Sequence, residues 1–164
     1  LKPNIVGRAG RTLRDKWSAG PITQLGVSVS DFPNMLIVVG PGSPSLLSNV
    51  MVSTEEQIDW LAELIRKMDA NHVVEFEADP EAEVKWVAHV NERAKETLYM
   101  TADSYYNGAE VAGKPKVFMP YSGGVRGYRR ILHQCAQEGY SGFSLRTQPA
   151  AMGGVATKIE SEQA

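Results

Sequence analysis

The feature that most constrains the fold is an apolar run that leads directly into a glycine–proline turn. Residues 35–39 (MLIVV) are apolar and mostly branched, and residues 40–45 (GPGSPS) follow them at once. A helix-like pattern begins a few residues later. This order predicts a strand, a tight loop and a helix, as in α/β proteins whose loops meet nucleotide or flavin cofactors. The loop matches only half of G-x-G-x-x-G, so a turn that merely requires glycine is the alternative.

Three amphipathic helices are expected in the chain. Ser53 and Glu56 form a capping box that predicts the start of the first. Asp79 and Pro80 mark the start of the second, and Gly139 the end of the third. The apolar positions of the first are Ile58, Leu61, Ala62, Ile65 and Met68, with Trp60 and Leu64 widening the face. The second carries Val84, Val87, Ala88, Asn91, Ala94 and Leu98, and the third, at about 126–138, carries Tyr128, Ile131, Leu132 and Cys135.

The remaining segments are less regular. Residues 23–29 form a weak strand pattern, and residues 143–145 predict a final short strand. Residues 100–116 lack a period and predict a long functional loop. From Thr147 onward the chain is small, polar and aperiodic, which indicates a flexible tail. The predicted divisions are therefore 1–70, 71–146 and 147–164.

Composition excludes several classes of protein. Of 164 residues, 43% are hydrophobic, and the net charge of -2 argues against a nucleic-acid surface. No apolar stretch is long enough to cross a membrane, and the absence of a signal peptide together with a single cysteine predicts a cytoplasmic location. The histidines His72, His89 and His133 have no metal-ligand spacing, so no metal site is expected.

Further motifs make the chain recognisable. They include GPITQLG at 20–26, FPN at 32–34, EQIDW at 56–60, WVAHVN at 86–91, GKPKVFM at 113–119 and GYSGF at 139–143. With the loop at 40–45, they resemble, in order, the C-terminal third of a Baeyer–Villiger monooxygenase of the cyclohexanone and phenylacetone monooxygenase type. The resemblance runs from about residue 7 to residue 145.

The resemblance implies an α/β flavoprotein with two dinucleotide-binding domains. The chain would hold the C-terminal, Rossmann-like portion of the FAD-binding domain (1–70) and a helical extension (71–146). The full enzyme would use FAD, NADPH and O2 to convert ketones to esters or lactones through a C4a-peroxyflavin.

Site residues follow from the same resemblance. Residues Gly40, Pro41, Gly42 and Ser43 match the loop beside the flavin, and Asn49 and Val50 match the segment under its ring. Tyr105 matches an aromatic position that reaches the nicotinamide cofactor. The positions that match the lining of the ketone pocket are Ser45, Leu46, Leu47 and Val50.

Departures and absences from the family pattern also matter. Gln24 stands where the family commonly has Tyr, Tyr105 replaces a Trp, and Val50 stands where a longer Met occurs in some members. The complete G-x-G-x-x-G motifs, the F-x-G-x-x-x-H-x-x-x-W signature and the active-site arginine are missing. We therefore expect no catalytic residue in this chain, which would be an inactive fragment that pairs with a missing N-terminal portion.

Two other readings remain open. The chain is alternatively a non-catalytic scaffold or partner-binding module that kept the fold, or part of a related flavin monooxygenase that oxidises nitrogen or sulfur. Among single residues, Cys135 is expected to pack rather than react, and Trp60 and Trp86 to lie in the core. Arg8, Arg11 and Arg14 are expected in a solvated loop, and Arg126, Arg129 and Arg130 to pair with acidic neighbours.

Overall fold

Four α-helices and one two-stranded sheet are found in the part of the chain that the structure describes. The structure, a computed structural model, describes residues 3–44, 48–98, 106 and 117–148. After a 3-10 turn at Arg8–Gly10, the elements in chain order are α1 (Leu13–Lys16), α2 (Val50–Ala70), β1 (Val73–Ala78), α3 (Pro80–Ala94), α4 (Gly124–Gln137) and β2 (Phe143–Thr147). None of the helices in these described ranges is long and apolar enough to span a bilayer.

The long helix α2 begins earlier than its sequence pattern predicts. Asn49 is the N-cap, and its side-chain oxygen accepts a hydrogen bond from the Met51 amide. Ser53 therefore lies inside the helix and is fully buried. The predicted start at Ser53 is wrong because Asn49 already caps the helix one turn upstream.

The buried face of α2 is also rotated from the predicted one. The buried residues are Ser53, Gln57, Trp60, Leu61 and Leu64. Ile58 and Ile65, which the apolar pattern placed inward, are about half exposed. The reason is that two aromatic and polar anchors, Trp60 and Gln57, have partners on α4, and these contacts fix the rotation of the helix.

The other two long helices follow their signals closely. Asp79 caps α3 by accepting from the amides of Glu81 and Ala82, and Pro80 is its first residue. Helix α4 ends at Gln137, and Gly139 then adopts a positive φ of 76°. Three predicted inward residues lie outward, Val84 and Ala88 on α3 and Leu98 beyond its end, whereas Trp86, Val90 and Ala94 are buried.

Strands β1 and β2 pair antiparallel, with Phe76 opposite Leu145 and Ala78 opposite Phe143. The pattern at 143–145 predicted β2, but β1 was missed. Strand β2 extends to Thr147, and the amide of Gln148 donates to the His72 carbonyl, so these two residues of the predicted tail are ordered. Residues 149–164 lie outside the described part of the chain.

The predicted strands at 23–29 and 35–39 are wrong. These segments form only single bridges, Gln24 with Ser28 and Ser28 with Leu36. The chain turns too tightly for a strand, because Leu25, Gly26 and Val39 all have positive φ. The α/β class rests on the helices and the β1–β2 sheet, and the described residues contain no parallel sheet.

Ion pairs attach the N-terminal segment to the rest of the molecule. Arg8 contacts Glu75 and Glu77 of β1, and Lys16 contacts the buried Glu83 of α3 at 3.0 Å. Arg8 is exposed, as expected of a solvated loop, but its guanidinium also pairs with two carboxylates on β1.

An aromatic core joins the helices to the sheet. Trp60 lies 5.1 Å from Tyr140 between ring centroids, and Phe76 stacks on Phe143 at 4.6 Å. The indole nitrogen of Trp60 donates to the Leu132 carbonyl of α4. The expectation that Trp60 and Trp86 are core residues is confirmed, and the core runs across the predicted boundary at residue 70.

Candidate functional site

The glycine–proline loop lies against a tight hairpin. In the hairpin, the Gln24 amide donates to the Ser28 carbonyl, and Leu25 and Gly26 occupy its tip with φ of 53° and 72°. Positive φ at both central positions is the signature of the turns that match strand twist in hairpins. The Gly40 amide donates to the Gly26 carbonyl at 3.1 Å, so the loop begins on the hairpin tip.

Residues 40–43 form a turn, called here the 40–43 turn. The Ser43 amide donates to the Gly40 carbonyl at 3.0 Å, and Gly42 has a φ of 87°. The Gly42 amide also donates to the Met119 carbonyl, and the Ser43 carbonyl accepts from the Tyr121 amide. The turn is therefore held by backbone bonds on both sides.

Internal packing explains why this turn needs glycine. A Cβ on Gly40 would lie 2.6 Å from the Gly26 carbonyl oxygen, and one on Gly42 would lie 2.6 Å from Nε1 of Trp86. Gly42 also needs its left-handed conformation. The requirement for glycine is thus accounted for by the protein's own hairpin and by the indole on α3.

A buried amide links the turn to two helices. The Val39 amide donates to Oε1 of Gln57 at 2.6 Å, and Nε2 of Gln57 donates to Ser43 Oγ at 2.8 Å. The same nitrogen donates to the Tyr128 hydroxyl on α4. Gln57 is fully buried, so these bonds satisfy a side chain that water does not reach.

Tyr128 completes this network. Its hydroxyl donates to the Leu25 carbonyl at the hairpin tip. Burial raises the pKa of Tyr128 well above its ordinary value, an effect that outweighs the opposing hydrogen bonds from Gln57 and Ser43. The phenol is therefore protonated at all physiological pH values and acts as a fixed hydrogen-bond donor.

The N-terminus of α2 faces outward. Asn49 is exposed, Val50 is 41% exposed and Met51 is 66% exposed. The first turn of a helix carries a partial positive charge and amides without partners inside the helix. An exposed polar helix start with adjacent apolar side chains suits a planar, electron-rich ligand that needs both charge complementarity and apolar contact.

The predicted site residues fall into three groups. Gly40, Gly42 and Ser43 are buried in the 40–43 turn, and Pro41 is half-buried there. Asn49 and Val50 are exposed at the start of α2. The others, Ser45, Leu46, Leu47 and Tyr105, lie outside the described residues, so their roles stay predictions.

Gln57 is the residue that the sequence pattern missed. It lies on the buried stripe with Ser53, Trp60 and Leu64, at helical spacing. A stripe centred on Trp60 and Leu64 would have shown a glutamine at an inward position. A buried glutamine demands partners, and that is the signal that identifies it.

Helices α2 and α4 also enclose an open groove of about 490 Å³. Arg129 pairs there with Glu56, which confirms the expected acidic pairing for that arginine. His133, Asp59 and Glu63 also line the groove. No group of three or more His, Cys, Asp or Glu residues placed to hold a metal ion is found within the described ranges.

No protein-family model matches the chain. Curated relatives do match it, at 34% identity for cyclohexanone 1,2-monooxygenase of Acinetobacter sp., 40% for acetone monooxygenase (methyl acetate-forming) of Gordonia sp. strain TY-5, and 37% for phenazine N-monooxygenase of Lysobacter antibioticus. These matches cover 90%, 87% and 90% of this chain. The chain spans only 27% of the length of each of these relatives.

Solved structures of monooxygenases also match most of this chain over about a quarter of their own length. A closed crystal structure of cyclohexanone monooxygenase matches at a TM-score of 0.84 and 36% identity, and an oxidised steroid monooxygenase bound to NADP at 0.81 and 41%. Each match covers 88% of this chain and about a quarter of the other (27% and 26%). A third neighbour, OTEMO in complex with FAD and NADP, matches at a TM-score of 0.79 and 30% identity.

Proposed function

We propose that this chain, which is homologous to a segment comprising about a quarter of Baeyer–Villiger monooxygenases, is part of an FAD-dependent, NADPH- and O2-using enzyme that converts ketones to esters or lactones. The observation that carries the proposal is the 34–40% identity to a cyclohexanone and an acetone monooxygenase over most of the chain. The outward-facing start of α2 supports it, because that surface is suited to a flavin.

The described residues fit a flavin at the start of α2 better than at the 40–43 turn itself. When bound, FAD takes hydride from NADPH and supplies the reduced flavin that activates O2. Asn49 and Val50 are the described residues that would contact it. The dipole of α2 would favour negative charge on the nearby rim of the reduced ring. Gly40, Gly42 and Ser43 would act behind this surface, by fixing the approach of the chain to the helix.

Val50 would contribute to the ketone pocket together with Ser45, Leu46 and Leu47. Its side chain is apolar and 41% exposed at the first position of α2. Ketone substrates present mostly apolar surface, so such a side chain lowers the free energy of binding by excluding water. The size of residue 50 would then set how much room a ketone has beside the flavin.

We also propose that the 164 residues are not catalytic alone and that the rest of the site comes from an N-terminal portion. The test compares the isolated chain with the complete gene product, each supplied with FAD, NADPH and cyclohexanone. We expect only the complete product to bind FAD and to form lactone. Lactone formation by the isolated chain at the same rate would overturn the proposed dependence.

Nitrogen oxidation is the second candidate function. The 37% identity to phenazine N-monooxygenase supports it. Incubating the complete gene product with a cyclic ketone, a thioether and phenazine in separate reactions distinguishes the two. Ester or lactone as the main product supports the first proposal, and N-oxide or sulfoxide without ester supports the second.

A non-catalytic role in partner binding predicts a different outcome. The complete gene product would then contain no flavin when purified and would oxidise no NADPH. A yellow preparation that releases FAD on denaturation contradicts that alternative.

A further inference from the structure

Gln57 lies at the point where four segments meet. Its side chain is fully buried on α2, and its amide uses every hydrogen it has to donate. The partners are Val39 before the 40–43 turn, Ser43 at its end, and Tyr128 of α4. Through Tyr128 the network reaches the Leu25 carbonyl of the hairpin. A glutamine that only filled space would not need partners on so many segments.

The orientation of this amide is determined by its neighbours. The Val39 N–H is only a donor, so it requires the oxygen of Gln57. The Tyr128 hydroxyl gives its proton to the Leu25 carbonyl, so it accepts from the nitrogen of Gln57. Exchanging the positions of the Gln57 amide oxygen and nitrogen would break both bonds. Only one arrangement of the four segments therefore satisfies the hydrogen bonds of this amide.

The network connects both ends of the 40–43 turn to α2. Val39 precedes the turn and Ser43 is its last residue, and each bonds to the Gln57 side chain. Gln57 lies seven residues after Val50, which places it about 10 Å along the helix axis from the exposed helix start. Any shift of the turn relative to α2 must break at least one buried hydrogen bond.

We propose that Gln57 is a positioning residue that fixes the start of α2 relative to the 40–43 turn and thereby sets how the helix dipole meets the flavin. This inference rests on the proposed function, since it concerns a bound flavin. Gln57 does not touch the flavin in this proposal; it acts through the Val39 and Ser43 ends of the turn.

The first test measures hydrogen–deuterium exchange at the turn. Gln57→Met keeps the length of the side chain but removes its donors and acceptor. We expect the Val39 amide and the 40–43 turn to exchange about tenfold faster, as loss of a buried hydrogen bond predicts. Leu64→Val is the matched control, because Leu64 is fully buried on the same helix and packs in the apolar core. If the two variants accelerate exchange of the turn amides equally, the proposal is overturned.

The second test uses the flavin as a reporter in the complete gene product with FAD bound. Gln57→Met should shift the visible flavin absorption and midpoint potential and lower ketone oxidation roughly tenfold, because small misplacements of reacting groups are costly. Leu64→Val should leave the absorption and potential unchanged. An unaltered flavin spectrum in Gln57→Met, with the turn amides exchanging faster, overturns the positioning role.

Two further measurements keep the outcomes separate. Ser43→Ala removes one hydrogen-bond partner of Gln57. It should change the flavin spectrum and the exchange of the turn amides in the same direction but by less. This variant replaces Gln57→Met in both tests if Gln57→Met does not fold. Flavin content of the unaltered gene product is measured first. Absence of flavin there overturns the proposed function itself, whereas bound flavin with unaltered Gln57→Met and Ser43→Ala spectra overturns only the role of Gln57.

Discussion

Lys16 and Glu83 form the most deeply buried ion pair among the described residues. Their side chains are 8% and 1% exposed, and Ser30 donates to the same carboxylate from its backbone and its hydroxyl. Burying two charges costs hydration, which the pair and its hydrogen bonds offset. The pair attaches α1 to α3, so it holds the N-terminal segment in place.

Removing one member of that pair should therefore be costly. We expect Lys16→Met to lower the free energy of unfolding by about 3 kcal/mol, because Glu83 is left as a buried charge without its cation. Urea unfolding measures the effect. Lys85→Met is the control, since Lys85 and Glu81 are exposed, and it should change almost nothing. Equal effects of the two variants would contradict the prediction.

Cys135 should be unreactive while the chain is folded. Burial raises the pKa of its thiol to about 12, against an ordinary 9, and its Sγ contacts the Ser141 carbonyl. A pKa raised this far lowers the thiolate fraction at pH 8 by about a thousandfold. We expect iodoacetamide to label Cys135 only after unfolding in urea. Labelling at the same rate in the folded protein would show that the thiol is accessible and ionised.

At the scale of elements, the sequence predicted the parts that depend on local chemistry. Asp79 and Pro80 start α3 as expected, and Gly139 follows the end of α4, because capping and proline geometry act within a few residues. The start of α2 was misplaced because Ser53 and Glu56 match a capping box, whereas Asn49, which is also a favoured N-cap residue, caps the helix one turn earlier. A local pattern does not decide between two adequate caps.

The features that the sequence did not predict depend on contacts between residues far apart in the chain. The residue 35–39 run has the composition of a strand, but its bonds go to the 24–28 hairpin, and Val39 turns to reach Gln57. Gln57 itself is recognisable only once the rotation of α2 is known. Half of the candidate site, the motif at 40–43, was therefore predictable, and the network behind it was not.

Glycine at position 42 offers a test at this scale. Gly42→Ala should lower the free energy of unfolding by about 3 kcal/mol, because the residue has a φ of 87° and its Cβ would meet Trp86. Gly139→Ala is the matched control, with a φ of 76° but open space around its Cβ, and should cost only about 1 kcal/mol. Thermal unfolding compares them. Equal losses would mean that the turn is not packed against Trp86.

At the scale of the whole molecule, the proposed function makes this segment one face of a larger site. Its core is formed by its own helices and sheet, whereas the start of α2 and its apolar neighbours remain exposed. The chain covers about a quarter of its relatives, so the other faces belong to sequence beyond it in the proposed enzyme. The exposed start of α2 is the surface that such a shared site would use.

Isotopic labelling tests the proposed insertion of oxygen into a ketone. The complete gene product is incubated with NADPH and ¹⁸O₂ and a panel of acetone, cyclopentanone, cyclohexanone, a keto-steroid, a thioether and phenazine, each in a separate reaction. We expect the protein to contain FAD and one labelled oxygen atom to enter an ester or lactone. A flavin-free protein, or a flavoprotein that labels a thioether or phenazine but no ketone in the panel, would contradict this proposal.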